Sequence, residues 1–275
     1  MDVSGLKPIE QTALLTEYCR ALDSRAARPI LGDPLAHDTV SQIDFDFSSL
    51  AATPSVVALV ALRAKMLDER ISRFIAENPQ AVVIDLGAGL NSAVVRVDPP
   101  PTVDWYSVDL PAVIALREAL LPPSVGDQSV AASLLEPGWA DTIPAGRPTM
   151  AFADGLVAFL DEAEAIALVR GIAGHFNYGV IAFNDYGPVS KANQLIGGLA
   201  TSRKANSPHS QWRFRGFKNA RHPESWHNGL ALIEEVSALH QPEAQLLPAG
   251  LRVASRLSRR LPAIARKSRI VQYRF

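Results

Sequence analysis

Cysteine is nearly missing: Cys19 stands alone among 275 residues. No internal disulfide can form, and a reducing compartment such as the cytoplasm is the expected setting. Long apolar runs are also missing, and none approaches the roughly 20 residues that a helix needs to cross a bilayer. The opening residues, Met1-Asp2-Val3-Ser4-Gly5, have neither the basic flank nor the apolar segment of a secretory signal, so none is expected. An excess of charge is lacking too. The 27 Lys and Arg offset 28 Asp and Glu for a formal net charge of −1, which gives no global pull toward nucleic acid or anionic membrane. Neither is expected as a partner. The six histidines show no metal-ligand spacing, since His222 and His227 lie five apart and off the i,i+4 register, so no metal site is expected. What remains is an ordinary soluble composition, 48% hydrophobic and 20% charged. The length allows a sizeable core, in one domain with a cap or in two small ones.

The chain is organised around Val82-Val83-Ile84-Asp85-Leu86-Gly87-Ala88-Gly89-Leu90-Asn91. Four apolar residues, three of them β-branched, predict a strand buried on both faces. An acid and two glycines one residue apart then predict a tight turn into a helix, with backbone free to approach a ligand. A dinucleotide fingerprint would place a third glycine at Ser92. Asp85 would repel a pyrophosphate but suits a cationic, donor-rich ligand, and S-adenosylmethionine carries a sulfonium, an ammonium and ribose hydroxyls. A second strand over 103–109 ends in Asp109, 24 positions after Asp85 and close to the roughly 20-residue spacing at which an acid meets a ribose. Either acid taken alone reads equally as a helix cap or a solvated loop end.

Helical spacing runs over 9–22 and from Pro54 to about Ile75, where Asn78-Pro79 ends it. Further strands are expected over 128–132, 149–154, 179–183, 230–239 and 270–275. Helices are expected over 111–120, 139–143, 162–172 and 251–261, the last of them basic and amphipathic. Strands alternating with helices predict parallel βαβ units and a doubly wound α/β sheet. Asp85, Asp109, Asp154 and Asp185 all fall at strand carboxyl ends, where such sheets bind ligands. Regular pattern fails over 184–226, which carries Arg213, Arg215 and other cations among aromatics with no acid between Asp185 and Glu224. A lid is expected there, and a solvated loop is the plain alternative.

An ordered series of motifs then supports a resemblance. It comprises Thr12-Ala13-Leu14-Leu15, Arg20-Ala21, Asp33-Pro34-Leu35-Ala36, Arg63 with Asp68, the glycine loop, Val108-Asp109-Leu110-Pro111 and Asp154-Gly155-Leu156. The chain resembles the leucine carboxyl methyltransferase superfamily, in particular its bacterial polyketide O-methyltransferase branch. The resemblance implies a class I methyltransferase, Rossmann-like fold with a helical cap over residues 1–78 and an S-adenosylmethionine-binding domain over 79–275, the latter holding the 184–226 insertion. It implies that Arg20 and Arg63 hold the cofactor's carboxylate, that the loop Gly87-Ala88-Gly89 cradles it, and that Asp109 beside Leu110 takes its ribose. Without the resemblance, Arg63 would read as one more solvated helical cation. Departures stand at Asn91-Ser92-Ala93, where the family has Asp-Ser/Thr-Arg. Ser133-Leu134 replaces an Asp-Leu pair that contacts adenine, and Asp154, before Gly155, replaces glutamate.

The implied reaction moves a methyl group to an oxygen of a small-molecule carboxylate or phenol and leaves S-adenosylhomocysteine. A carboxylate needs no general base and a phenol does. No residue stands out as that base, and His175 reads as helix-end structure. Asp185, Tyr186 and His209 are the candidates near the acceptor, with Arg213 and Arg215 as cations for an anionic one. Two rival readings remain open. One is a protein that binds the cofactor without turnover, prompted by the departures. The other is a nucleic-acid-binding or nucleic-acid-modifying protein, prompted by Arg252, Arg256, Arg259, Arg260, Arg266, Lys267 and Arg269, with net charge against it.

Overall fold

Seven strands form one sheet in the order β3-β2-β1-β4-β5-β7-β6. The structure is a computed structural model that describes residues 1–124, 126–187 and 212–275. The strands are β1 (Val82–Leu86), β2 (Asp104–Asp109), β3 (Asp127–Ala131), β4 (Thr149–Ala153), β5 (Gly179–Asp185), β6 (Ala231–Ser237) and β7 (Arg269–Arg274). β1 to β5 run parallel, and β7 enters antiparallel between β5 and β6. The order reverses at β1, so its carboxyl end and that of β4 frame the crevice where ligands bind in such sheets.

Every residue of β1 is buried, because helices cover both faces. The helices before the glycine loop are α1 (Thr12–Ser24), α2 (Ala36–Ser41) and α3 (Pro54–Glu77). Beyond it come α4 (Ala93–Val97), α5 (Pro111–Leu120) and α6 (Glu162–His175), followed late in the chain by α7 (Ala249–Ser258) and α8 (Pro262–Ala265). Val82, Ile84 and Leu86 pack with Leu168, Val169 and Ile172 of α6, while Val83 packs with Leu62, Met66 and Ile71 of α3. α3 starts where Thr53 accepts from the Val56 amide, with Pro54 in the first turn, a position that costs proline no hydrogen bond. α6 starts with a capping box between Asp161 and Glu164.

Some expectations change. The helix expected over 139–143 is a pair of turns, closed by Asp141 N–H on Gly138 O at 3.1 Å and by Ile143 N–H on Ala140 O at 2.8 Å. Pro144 disfavours helical backbone at Ile143, which stops propagation. Of the 184–226 insertion, residues 188–211 lie outside the described residues. Phe214, Phe217 and Trp226 are core residues packed on α6 and the sheet, because an aromatic this large is worth more buried than facing water. One of the segment's cations finds acids from elsewhere in the chain. Arg213 meets Glu164 at 2.5 Å and Asp161 at 3.6 Å on α6.

Asp85 departs most from its expected role. It lies beneath the glycine loop, 1% exposed, with Oδ2 accepting from Asn91 Nδ2 at 2.8 Å and Oδ1 without a partner. Burial pushes its carboxyl up to about 7, against a pull from Arg117 and the Asn91 amide. A carboxyl raised above its unfolded value of 3.8 stabilises the fold fully below that value, and the contribution is lost as pH rises through about 7. Urea titrations of wild type should therefore show a component of stability that declines from pH 4 to 7, by up to about 1.4 kcal/mol per pH unit. In Asp85→Asn, which keeps the acceptor for Asn91 but does not ionise, that component should vanish. An unchanged pH slope would refute the assignment.

Candidate cofactor and acceptor cavity

The N-terminal helices roof the glycine loop through buried charge. Asp23 of α1 takes the Ile30, Leu31 and Gly32 amides at 2.9–3.0 Å, which shapes the loop that presents Asp33. Asp33 accepts from Ser92 Oγ and from Arg96 Nη1, each at 2.7 Å. Arg96 of α4 is held a second time by Asp68 of α3 at 2.7 Å and gives Nη2 to Asn91 Oδ1 at 3.0 Å. Burial would strip its proton, but Asp68 and then Asp33 outweigh that and keep it charged. Burial pushes the Asp33 carboxyl up, yet Arg96 and Arg20 bring it below its ordinary value. Asn91 thus gives its amide to Asp85 and receives Arg96 on its carbonyl.

The loop is clamped from the other side by Arg117 of α5, whose Nη1 donates to Asn91 O at 2.5 Å while Nη2 pairs with Asp127 at 3.2 Å. Gly87 and Gly89 have φ of +69° and +52°, a region costly for side-chain-bearing residues. A Cβ on Gly89 would come within 3.2 Å of Ala13 of α1, so the loop passes directly beneath that helix. Asp109 tethers it, accepting from Gly89 N–H and from Leu110 N–H at 2.7 Å each. Burial raises the Asp109 carboxyl, opposed by those two amides.

The cavity above holds about 330 Å³, within the range of small-molecule sites. Its wall contains Arg20, Arg63, Gly87, Ala88, Gly89, Asn91, Asp109, Leu110, Ser133, Leu134, Asp154 and Gly155. The cofactor residues expected from sequence therefore converge, with one exception: Asp85 supports the loop from below and is not on the wall. Ser133 accepts from the Leu135 amide at 3.3 Å, so part of its hydroxyl's capacity serves the turn.

Arg63 Nε meets Asp154 Oδ1 at 2.5 Å, and Arg63 Nη1 donates to the Tyr186 hydroxyl at 2.5 Å. Arg20 Nη1 lies 3.7 Å from Asp154 and its Nη2 2.7 Å from Glu17. Burial works against the Arg63 charge, and Asp154 outweighs it. Arg63 Nη2 is buried with no partner. It lies so close to Gly155 that a Cβ there would come within 3.0 Å of it. A charged donor left open on a cavity wall costs stability unless a ligand meets it. That orphan, the glycine cradle and the half-buried Asp109 fit the carboxylate, backbone-contacting and ribose parts of S-adenosylmethionine.

Much of the rest of the wall is apolar, including Val56, Leu59 and Val60 of α3, Leu135, Leu156, Phe159, Leu160 and Trp212. Glu10, Thr12, Thr16 and Ser268 are its other polar members beside Tyr186 and Arg213. Tyr186 stacks on Trp212 with centroids 4.2 Å apart and planes at 22°. Of the expected acceptor residues, Tyr186 and Arg213 reach the wall. Asp185 does not. It is buried against Arg269, which gives Nε at 2.8 Å, and takes the Gly187 amide at 3.0 Å. Burial pushes its carboxyl up to about 6, opposed by Arg269. Arg215 is exposed and off the wall. His209 lies outside the described residues. Sequence reading missed Arg117, Trp212 and the α1 positions Thr12 and Thr16. Arg117 carried a signal, a cation three and four positions after Ile114 and Val113 on the buried side of its helix.

The model of the leucine carboxyl methyltransferase family matches residues 13–173. The tetracenomycin polyketide synthesis O-methyltransferase TcmP of Streptomyces glaucescens is 35% identical over 275 residues, 98% of each chain. The S-adenosyl-L-methionine-dependent methyltransferase dpfgK of Gibberella zeae is 29% identical over 200 residues, 66% of this chain and 67% of that one. Solved structures share the fold. A protein of Thermobifida fusca assigned as a methyltransferase superposes with TM-score 0.56 at 15% identity, covering 93% of both chains. The plantazolicin methyltransferase BamL, solved with S-adenosylhomocysteine and a triazolic desmethylPZN analog, gives 0.50 at 13% identity over 97% of this chain and 98% of that one. The chain belongs to the leucine carboxyl methyltransferase family and is an S-adenosylmethionine-dependent methyltransferase.

Proposed function

We propose that the enzyme methylates a carboxylate oxygen of a partly planar, polyketide-like acid and releases S-adenosylhomocysteine. One observation carries this reading: a single cavity joins the charged wall of Arg63, Asp109 and Asp154 to an apolar half containing Phe159, Leu160 and Trp212. The 35% identity to a polyketide O-methyltransferase along nearly the whole chain supports it.

S-adenosylmethionine, when bound, supplies a methyl group made electrophilic by its sulfonium. In this reading Arg63 and Arg20 face the cofactor's carboxylate, and Gly87, Ala88 and Gly89 offer close backbone. Asp109 accepts from the ribose, Leu110, Ser133 and Leu134 border the adenine, and Asn91, Asp154 and Gly155 complete the wall. Residues 1–78 serve as the cap and residues 79–275 as the binding domain. The apolar half orients a flat acceptor and excludes water, so the protein acts by positioning.

The acids of the described wall already serve as acceptors within the protein: Glu10 takes the Lys7 amide and Asp109 the Gly89 and Leu110 amides. Asp154 is occupied by Arg63, and burial raises the Tyr186 phenol, against the pull of Arg63, so it stays protonated. A carboxylic acid arrives already ionised at neutral pH and needs no proton removed. Arg213, at the rim, is held by Glu164 and Asp161, and in this reading it exchanges one of those pairs for the acceptor's carboxylate.

Labelled cofactor offered to matched aromatic carboxylic acids and phenols should methylate the acids. Transfer to phenols alone would remove the carboxylate assignment, and tight cofactor binding without transfer to any acceptor would favour a protein without turnover. Arg63→Ala should weaken S-adenosylmethionine and S-adenosylhomocysteine by about 1.5–3 kcal/mol, the range for hydrogen bonds to charged groups. Asp109→Ala should have an effect of similar size. Arg63→Ala should spare adenosine, which lacks the carboxylate, and calorimetry showing equal losses for all three ligands would point to a folding defect. Arg213→Ala should raise the acceptor's KM roughly tenfold with cofactor affinity intact, and Arg215→Ala should change neither. Undiminished transfer by Arg213→Ala would take Arg213 out of the acceptor site.

A further inference from the structure

Glu243 is the last acidic residue of the chain, and Arg252, Arg256, Arg259, Arg260, Arg266 and Lys267 follow it. α7 is seated through one side. Leu251 and Ala254 pack against the core, Ser255 Oγ donates to Leu239 O at 2.6 Å, and Ser258 Oγ meets His240 at 2.9 Å. Its other side is open. Arg252, Arg256, Arg259 and Arg260 are all exposed, and no ion pair joins them to any described residue. Beside them Val253, Leu257 and Leu261 are 52%, 47% and 52% exposed. The four-residue spacing places these three along one stripe. A solvated helix face would carry the arginines without the aliphatic stripe, and a lone exposed leucine would need no account. Cations and an apolar stripe side by side on one open face do need one.

We infer that residues 249–267 form a docking surface for an anionic lipid bilayer, with guanidinium groups on the headgroups and the Val253-Leu257-Leu261 stripe at the acyl boundary. Duplex nucleic acid would engage the cations and leave the stripe in water. Single-stranded nucleic acid is bound through stacked aromatics, and the segment contains none. A second copy docked face to face would set arginines against arginines. The helix lies on the membrane, since ten residues span only about 15 Å. The formal net charge of −1 averages this strip against acids elsewhere, so it does not register the local excess of cations, and the proposal departs from the expectation of no membrane partner. Ser268, the next residue, is on the cavity wall, so a docked strip brings that wall beside the lipid.

The test is flotation of the full chain with phosphatidylcholine vesicles, with and without phosphatidylserine. The expected result is binding only where phosphatidylserine is present, weakening as salt rises. Arg256→Gln with Arg260→Gln should lower partitioning about 25-fold, since each cation near an anionic surface counts for about fivefold. Val253→Ser with Leu257→Ser should lower it at least about tenfold. Both double variants should keep wild-type affinity for S-adenosylhomocysteine, which separates lost docking from lost folding. Absence of binding at low salt would overturn the proposal, as would equal binding to both vesicle types or wild-type partitioning by the Val253/Leu257 variant. So would a duplex DNA probe bound as tightly as the vesicles, or a dimer in solution that the same substitutions dissociate.

Discussion

Arg96 is the pivot of the site. Through Asp33 it ties down the loop after α1, through Asp68 it fixes α3, and through Asn91 it orients the turn after β1. Three segments far apart in sequence therefore share one guanidinium. Buried ion pairs contribute little net stability once desolvation is counted, but removing one partner leaves an uncompensated charge and is severe. The network consequently favours one arrangement of roof over floor. The glycine loop needs that help, because two residues at positive φ have little intrinsic reason to hold a single shape.

A second network above the first is left open. Asp154 collects Arg63 and Arg20, and Tyr186, stacked on Trp212, takes another donor of Arg63. The guanidinium that borders the charged half of the cavity is therefore held by the ring that borders its apolar half. Burial sets the protonation states around it, keeping the Tyr186 phenol protonated and Arg63 charged. A site so arranged is equipped to bind and orient. That matches a reaction whose reactivity comes from the cofactor's own sulfonium.

Charge also explains where sequence reading succeeded and where it went astray. Acids at four strand ends marked the correct rim of the sheet, yet only Asp109 and Asp154 reach the cavity. Asp85 and Asp185 turn into the protein, one under the loop and one onto Arg269. Strand alternation decides which way a side chain points, and a shift of one residue at a strand end reverses it. Of the stretch expected as a lid over 184–226, the described part from 212 onward holds Phe214, Phe217 and Trp226 in the core and Arg213 paired to α6. Pairing partners distant in sequence leave no local trace.

The sequence by itself determined the sheet's strands to within a residue or two, the glycine turn, and a set of residues that meet on the cavity wall. Those features rest on local causes: hydrophobic period, proline and glycine stereochemistry, and an ordered run of family motifs. Only the tertiary structure decided that Asp33, Asp68 and Arg96 form one brace, that Asn91 bridges Asp85 and Arg96, and that Arg117 clamps the loop. It alone also decided that the basic tail keeps an aliphatic stripe open to water. Each of these depends on which side chains meet after the chain has closed on itself, where burial makes a charge costly unless a partner from another segment arrives.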